Sequence, residues 1–481
     1  MSCRAARGAQ LVIGAFCVMI AAPALAEPAP IDPPASDRVD ALRLELARER
    51  DELRRQLAEL RTRVEQRDAH QEQAVASFDK RLHEVVEASR LYLRAGKLSF
   101  LLNGFVQADV TAYRRSSTDQ LDAAGEPLNE MRFLLRRARL RAIVEYKWLF
   151  GAFEIDANTN RGLQVRPQSF EVGVRYVNPH RPSLPYLALH IGLVRSPFGF
   201  EVQQSDKDRL FLERSVVFGA WYPGEYDLGI RAYGGWRMLR YALAAMNGDP
   251  IGEKNFPGRD PNRSKDLIAY AGVDQQWKRV GLRGGFSVDY GSGFHKGTAA
   301  GTNTLVWKDA NMDAVLDAGE LTGVLGAAAT PSSNFRRWGV GGDLGVSFKV
   351  PKLGTLWLLG EIVYGQNMDR NLAIADPSAA KRDLKELGWY AGFTQEITPY
   401  AQFGVRYDSY EPDRAAVDAS GKLLQTIPYT QTVATVMGQL PGYAKLFLEY
   451  GHVVKQTGRA TDGSPISLTD NVLTLRAMLL F

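Results

Sequence analysis

Six residues, "RRARLR" (136–141), carry four arginines inside a stretch that otherwise reads as β-strand, with "MRFLL" before and "AIVEYKW" after. Guanidinium groups stay charged at physiological pH and offer a planar fork of donors that fits carboxylate and phosphate oxygens. Their chemistry is attraction and orientation of anions, not bond making. Successive strand residues point to opposite sides. In 132–147 the odd face holds Phe133, Leu135, Arg137, Arg139, Arg141, Ile143, Glu145 and Lys147. The even face holds Leu134, Ala138, Leu140, Ala142, Val144 and Tyr146, with Arg136 expected at a rim. Each arginine in the middle of a bilayer would cost about 2–4 kcal/mol. In a lumen, neighbours about 7 Å apart repel by about 2 kcal/mol at an effective dielectric near 20, and by less in water. The ladder is therefore expected to face a wet lumen. The same division puts Arg175 with Glu171, Arg231 with Asp227, Arg283 with Asp289, Arg406 with Asp408, and Arg476 on polar faces. Glu154, Asp156, Asp343, Glu361, Glu396, Lys445 and Glu449 share those faces. Two readings stay open: a mesh of wall ion pairs that stiffens the structure, or a row of cations that guides anions. On the second, Arg137, Arg139, Arg141, Arg175, Arg231, Arg283 and Arg406 line the pore and bind anions.

A second constellation is "DANMDAVLDAGE" (309–320). Asp309, Asn311, Asp313, Val315 (through its carbonyl), Asp317 and Glu320 fall at calcium-loop spacing, with the glutamate at position 12. Ala314 stands where glycine is expected, which would weaken binding. The alternative is a solvated acidic loop. No zinc-protease, phosphate-loop, nucleophile-elbow or paired-cysteine motif is present, and the histidines (His70, His83, His180, His190, His295, His452) are scattered. The chain is read as a non-enzyme that needs no cofactor, with calcium in 309–320 the one candidate. "GVGGDLG" (339–345) imitates a nucleotide loop but lies within a strand, where its glycines thin one face.

The elements that must hold these residues are sixteen alternating segments rich in Tyr, Phe, Trp, Val and Gly: 99–113, 132–147, 149–158, 168–178, 186–195, 226–236, 239–247, 268–277, 280–290, 337–349, 355–365, 387–396, 400–410, 429–439, 443–455 and 470–481. Long and short connections alternate between them. That is the pattern of an all-β transmembrane barrel of 16 antiparallel strands, with tight turns at one end and long loops at the other; a soluble sandwich has no reason to alternate so regularly. Tyr146, Trp148, Trp236, Trp277, Trp357, Trp389 and Tyr400 gather near strand ends, as interfacial girdles do.

The barrel is assigned to 97–481. Residues 1–26 read as a signal peptide: Arg4 and Arg7, an apolar run over 11–22, and "ALA" (24–26) before Glu27. Both cysteines, Cys3 and Cys17, fall inside it, so the mature chain is expected to be free of disulfides. Residues 27–36 are a proline-rich linker. Residues 37–90 lack proline and glycine, and Val39, Leu46, Leu53 and Leu60 recur every seven residues. This predicts an N-terminal α-helical coiled coil with a stutter at Leu57 and Val64; the alternative is a lone charged helix. A net charge of +5 over 481 residues leaves no nucleic-acid footprint.

On "NGFVQADV" (103–110), "FLLRRARLRAIVEYKW" (133–148), "IGLVRSPFGFE" (191–201), "LERS" (212–215) and the terminal "MLLF", residues 97–481 resemble the phosphate-selective porin O/P family. The resemblance implies a homotrimer in the lipid and lipopolysaccharide of the bacterial outer membrane. It also implies passive diffusion of small solutes, anions such as phosphate and polyphosphate among them. A long loop that folds inward is implied as well, for which 196–225 is the candidate. Phe198, Phe200, Leu210 and Phe211 would pack on the wall, and Arg195, Lys207, Arg209 and Arg214 would reach the pore. Asp206, Asp208 and Glu213 beside them depart from a purely cationic constriction. A periplasmic coiled coil would join three chains below the membrane. Rival readings are a general or carbohydrate porin, and a barrel serving mainly as an envelope tether.

Overall fold

The computed structural model describes residues 44, 47–62, 91–114, 122–124, 128–160, 162–178, 184–250, 260–416, 428–459 and 465–481. The expected signal peptide, the expected linker and most of the expected coiled coil lie outside them. The chain divides into two units, residues 1–71 and 72–481. In the first, 47–62 form a helix (α1) on which Leu53, Leu57 and Leu60 are exposed.

The second unit is a closed antiparallel barrel. After a short strand β1 (Tyr92–Ala95), nine strands follow in order: β2 (Leu98–Tyr113), β3 (Met131–Tyr146), β4 (Leu149–Asn158), β5 (Gln164–Tyr176), β6 (Leu187–Arg195), β7 (Tyr226–Trp236), β8 (Leu239–Met246), β9 (Asp266–Gln276) and β10 (Val280–His295). A hairpin of β11 (Thr304–Trp307) and β12 (Leu321–Val324) stands apart as its own two-stranded sheet. The ring continues with β13 (Ser333–Lys349), β14 (Thr355–Gln366), β15 (Lys385–Thr398), β16 (Ala401–Glu411), β17 (Tyr429–Leu440), β18 (Ala444–Arg459) and β19 (Pro465–Leu480). Each of these sixteen strands pairs with its sequence neighbour, and β19 closes on β2 through Val472↔Tyr113 to Leu480↔Phe105. Phe481 completes the seam by exchanging backbone hydrogen bonds with Gly104 (2.8 and 3.1 Å). Closure leaves none of these sixteen strands with an unpaired edge, which a bilayer requires.

All sixteen expected segments are strands. Several run further on the long-loop side: β10 reaches His295 and β13 starts at Ser333. Apolar alternation marks only the lipid-facing belt, while backbone pairing continues past it through polar residues. The outer face is apolar, with Leu140, Val144, Leu189, Ile191, Leu228, Leu344 and Leu475 exposed, and with Trp148, Trp236, Trp277 and Tyr400 exposed near the ends. Water opposes a surface of that size and lipid accepts it. Among the described residues no helix is long and apolar enough to cross a membrane, so the strands are the spanning elements.

Candidate functional site: a charged lumen crossed by an inward segment

The 196–225 connection enters the barrel. Its ends meet where Ser196 N–H donates to the Glu225 carbonyl (2.7 Å), so the segment is a closed loop hung from the tops of β6 and β7. Gly199 makes the first bend at φ +58°, where a side chain would strike the Glu361 carboxylate. A short helix α2 (Val216–Trp221) follows. Phe198, Val202, Val217, Phe218, Trp221 and Tyr222 form one buried core with Met246, Ile268, Val363, Met368, Tyr390 and Tyr410. Leu210 and Leu212 form a second with Phe105, Met437, Phe447 and Met478. The segment thus touches walls from β8 and β9 round to β2. Glycines make its seats: a Cβ on Gly339 or Gly365 would lie 2.6–2.7 Å from the Trp221 ring, and one on Gly341 3.2 Å from Phe198. Of the residues expected on the wall, Phe198, Leu210 and Phe211 are buried, while Phe200 is half-buried beneath Arg283.

Carboxylates and arginines pin this segment. Glu361 on β14 accepts from the N–H groups of Phe200 (2.8 Å) and Glu201 (2.7 Å) and from Tyr390 Oη (2.6 Å). Glu201 accepts from Ser215 N and Oγ and from Arg406 (3.1 Å), and Arg406 also grips Asp408. Leu212 N–H donates to Glu449. Glu213 receives Arg136 through both oxygens at 2.7 Å, Arg137 at 3.2 Å, and Arg476 at 2.9 Å; Arg476 in turn clasps Asp109. Loss of water inside the barrel would push the Glu213 carboxyl up, but Arg136 and Arg137 hold it well below the usual range. Asp206 takes Arg137 (3.3 Å), Arg139 (2.7 Å) and Arg209. Asp206 and Glu213, two of the three acids that depart from a cationic constriction, are the counterparts of the arginine ladder, while Asp208 is exposed.

Arg136 needs correction. It points inward beside Arg137, not to a rim. Gln107 faces Arg137 while Ala108 faces Leu135, so Arg136 is the extra residue of a β-bulge. A bulge shifts the two-residue phase, which also turns Phe133 outward, 75% exposed. Three pairs that share a polar face of one strand do not bond to each other. Arg175 pairs with Glu145 (3.1 Å), not with Glu171, which takes Arg141 (3.3 Å) and His190. Asp227 accepts from the N–H groups of Leu228, Gly248 and Asp249. Asp289 accepts from Tyr222. Cross-strand neighbours stand about 5 Å apart, whereas same-strand residues four apart are about 13 Å apart. Only the i,i+2 pair Arg406–Asp408 is short enough to close.

The remaining candidates sort by partner. Arg139 lies among Glu154 (3.6 Å), Asp156 (3.7 Å) and Asp206. Arg209 and Arg214 approach Glu225 at 3.7 and 3.6 Å. Lys207 is exposed. Arg195 donates to the Gln203 carbonyl (2.7 Å) and Tyr226 Oη (2.6 Å), Arg231 reaches Gln203 Oε1 at 3.5 Å, and Arg283 stacks 4.1 Å over Phe200.

A second inward connection escaped sequence reading. Met368 joins the first core, and Arg370 donates to the Trp221 carbonyl (2.9 Å) and to Asp266 (2.8 Å), which also takes Arg337. A methionine and an arginine in a polar loop carry no signal of burial.

Solved structures with a similar course of strands include the outer membrane channel DcaP of Acinetobacter baumannii (TM-score 0.49, 14% identity, 81% of this chain and 99% of that one). OmpT of Vibrio cholerae (0.47, 9%, 81% and 100%) and an anion-selective porin from Comamonas acidovorans (0.47, 11%, 80% and 100%) are others. No protein-family model and no curated protein matches the chain.

Residues 309–320 form the tip of the β11–β12 hairpin. Asp309 accepts from Ala314 N–H (2.9 Å), Asn311 donates to Asp313 and Asp317 (3.0 Å each), and Glu320 accepts from Trp307 Nε1 and Ala310 N–H. Val315 N–H donates to Asp313. Ala314 adopts the left-handed φ of +60° that glycine would take there. Among the described residues, no three metal-ligating side chains gather about one point.

Proposed function

We propose that this protein is a passive diffusion channel of the bacterial outer membrane with a preference for anions. One observation carries the reading: a closed barrel, apolar outside, whose charged lumen is narrowed by a pinned inward segment. Arginines and acids are close to balance where that segment meets β3–β7, but Arg195, Arg231 and Arg283 make no carboxylate ion pair among the described residues, so positive charge is left over beside the root of the segment. An excess of fixed positive charge in a low-dielectric channel raises the local anion concentration. The likeness of "RRARLR" and its flanks to the O/P porins makes phosphate one candidate solute. The exposed leucines of α1 fit a periplasmic coiled coil joining three chains. The decisive experiment is the reversal potential of the purified protein in planar bilayers under a KCl gradient, with added phosphate as a blocker. Chloride preference supports the channel, whereas potassium preference refutes the role of the arginines.

Calcium in 309–320 is a separate proposal. It rests on the spacing and on Asp309 Oδ1, which is buried without a hydrogen-bond partner. Calorimetry with calcium chloride should give heat with the native protein and none with Asp309→Ala/Glu320→Ala; equal null heats would remove the site.

A further inference from the structure

Most lumenal arginines are answered by carboxylates, but Arg195, Arg231 and Arg283 make no carboxylate ion pair among the described residues. Each is stacked on a ring instead: Arg195 5.0 Å from Tyr226, Arg231 4.6 Å from Tyr233, and Arg283 4.1 Å from Phe200. All three meet one turn of the inward segment. Arg195 and Arg231 converge on Gln203, and Arg283 covers Phe200 three residues earlier. Of the acids around them, Glu225 is engaged by Arg209 and Arg214, and Glu171 by Arg141 and His190. Asp343 faces Arg283 beyond ion-pair range. The ring surface continues along the wall: Tyr233 packs edge-on against His190 (5.2 Å), which stacks on Phe150 (4.7 Å). Phe200 and Tyr233 are half-buried, so apolar ring surface stands at the water-filled lumen.

We propose that this cluster is a subsite for arene carboxylates. The Arg231 guanidinium edge takes the carboxylate, Arg195 beside it adds positive charge while its own N–H groups hold the Gln203 carbonyl and Tyr226 Oη, and the ligand ring lies against Tyr233 and Phe200. Arg231 has only one long contact, to Gln203 Oε1 at 3.5 Å, and its Nε has no hydrogen-bond partner; such a guanidinium edge matches a planar carboxylate through two parallel hydrogen bonds. Ring surface adds attraction that a small aliphatic or inorganic anion cannot use. Phosphate, tetrahedral and strongly hydrated, gains charge contact here but nothing from the rings.

The inference rests on the anion-channel reading, and the test separates the two. The full-length protein is placed in planar bilayers in KCl, and benzoate, acetate and phosphate are titrated at constant ionic strength as blockers of the chloride current. Benzoate is expected to half-block at about one-tenth the concentration of acetate or phosphate, a factor within reach of one stacked ring. Tyr233→Leu should raise the benzoate value several-fold and leave acetate unchanged. Arg231→Lys keeps the charge but loses the planar fork, and should raise the benzoate half-block concentration by a larger factor than that of acetate. Equal block by benzoate and acetate in the native protein, or equal loss of both in Tyr233→Leu, overturns the subsite while leaving the channel intact. Potassium preference of the native protein overturns the channel reading itself.

Discussion

Two groups of arginines share this lumen and differ in what answers them. At the far end of the inward segment, Arg136, Arg137, Arg139, Arg406 and Arg476 are closed onto Glu213, Asp206, Glu201, Asp408 and Asp109. At its root, Arg195, Arg231 and Arg283 have rings and neutral groups for company. The lesson is that arginine count does not measure anion affinity. A guanidinium saturated by carboxylates holds the protein together and presents little charge to a passing solute. One stacked on an arene, with no carboxylate to cancel it, keeps its field.

The sharpest way to break this division is to neutralise one member of each group. Arg139→Gln removes the cation shared by Glu154, Asp156 and Asp206 and leaves buried Asp156 without an ion-pair partner among the described residues. Removing one partner of a buried ion pair typically costs about 3–5 kcal/mol. The variant should unfold at markedly lower temperature in detergent, with chloride selectivity changed less than stability. Arg231→Gln, which breaks no ion pair, should do the reverse: native-like melting and a reversal potential moved toward zero. Equal losses of stability in the two variants would show that the groups do not differ.

Glu213→Gln tests the pinned end from its acidic side. Charge-assisted hydrogen bonds are worth about 1.5–3 kcal/mol each in protein interiors and less at Glu213, whose side chain is 44% exposed, but here one carboxylate serves three arginines. The amide cannot bind three cations, so the 206–215 stretch should loosen. Single-channel records should show more open-state noise together with stronger anion preference, because a negative charge is gone and three positive ones are released. Unchanged noise would mean that the apolar seats alone fix the segment.

The strands were legible in the sequence because period-two alternation and the rhythm of short and long connections are local properties. The ring and its closure followed from them, as did the inward face of Arg137, Arg139 and Arg141. The bulge at Arg136 was not legible, since one added residue leaves no mark until the partner strand supplies a register. Nor were the partners: Glu213 lies 77 residues from Arg136 and Glu361 lies 160 from Glu201, so only the closed barrel brings them together. Gly339, Gly341 and Gly365 showed a thinned wall, but not that Trp221 and Phe198 would fill it.

The pH response of the pinned end follows from the same carboxylate. Glu213 has a folded pKa held below its unfolded value, near 4.3 for a free glutamate. Its contribution is therefore fully present above that value and is lost as pH falls toward the folded pKa. Noise and anion preference should stay flat from pH 7 down through the free-glutamate value near 4.3 and rise together only well below it. In Glu213→Gln the rise attributable to this group should be absent; an identical rise in both proteins would assign it to another carboxylate.

Lys207 falls between the two groups and should give the smallest effect. Its ammonium is exposed near the tip of the inward segment, and its carbonyl accepts from Lys445 Nζ at 2.7 Å. It is neither sealed by an acid nor desolvated by a ring. A solvated charge acts through its field alone, which salt screens over about 10 Å at 0.1 M and about 3 Å at 1 M. Lys207→Gln should therefore lower chloride preference slightly in dilute KCl and not at all in 1 M. Arg231→Gln, whose target lies against the wall, should keep most of its effect at both concentrations. Equal salt sensitivity of the two variants would mean that stacking on Tyr233 gives Arg231 no shelter from the solvent, and the distinction between the two kinds of arginine would reduce to charge alone.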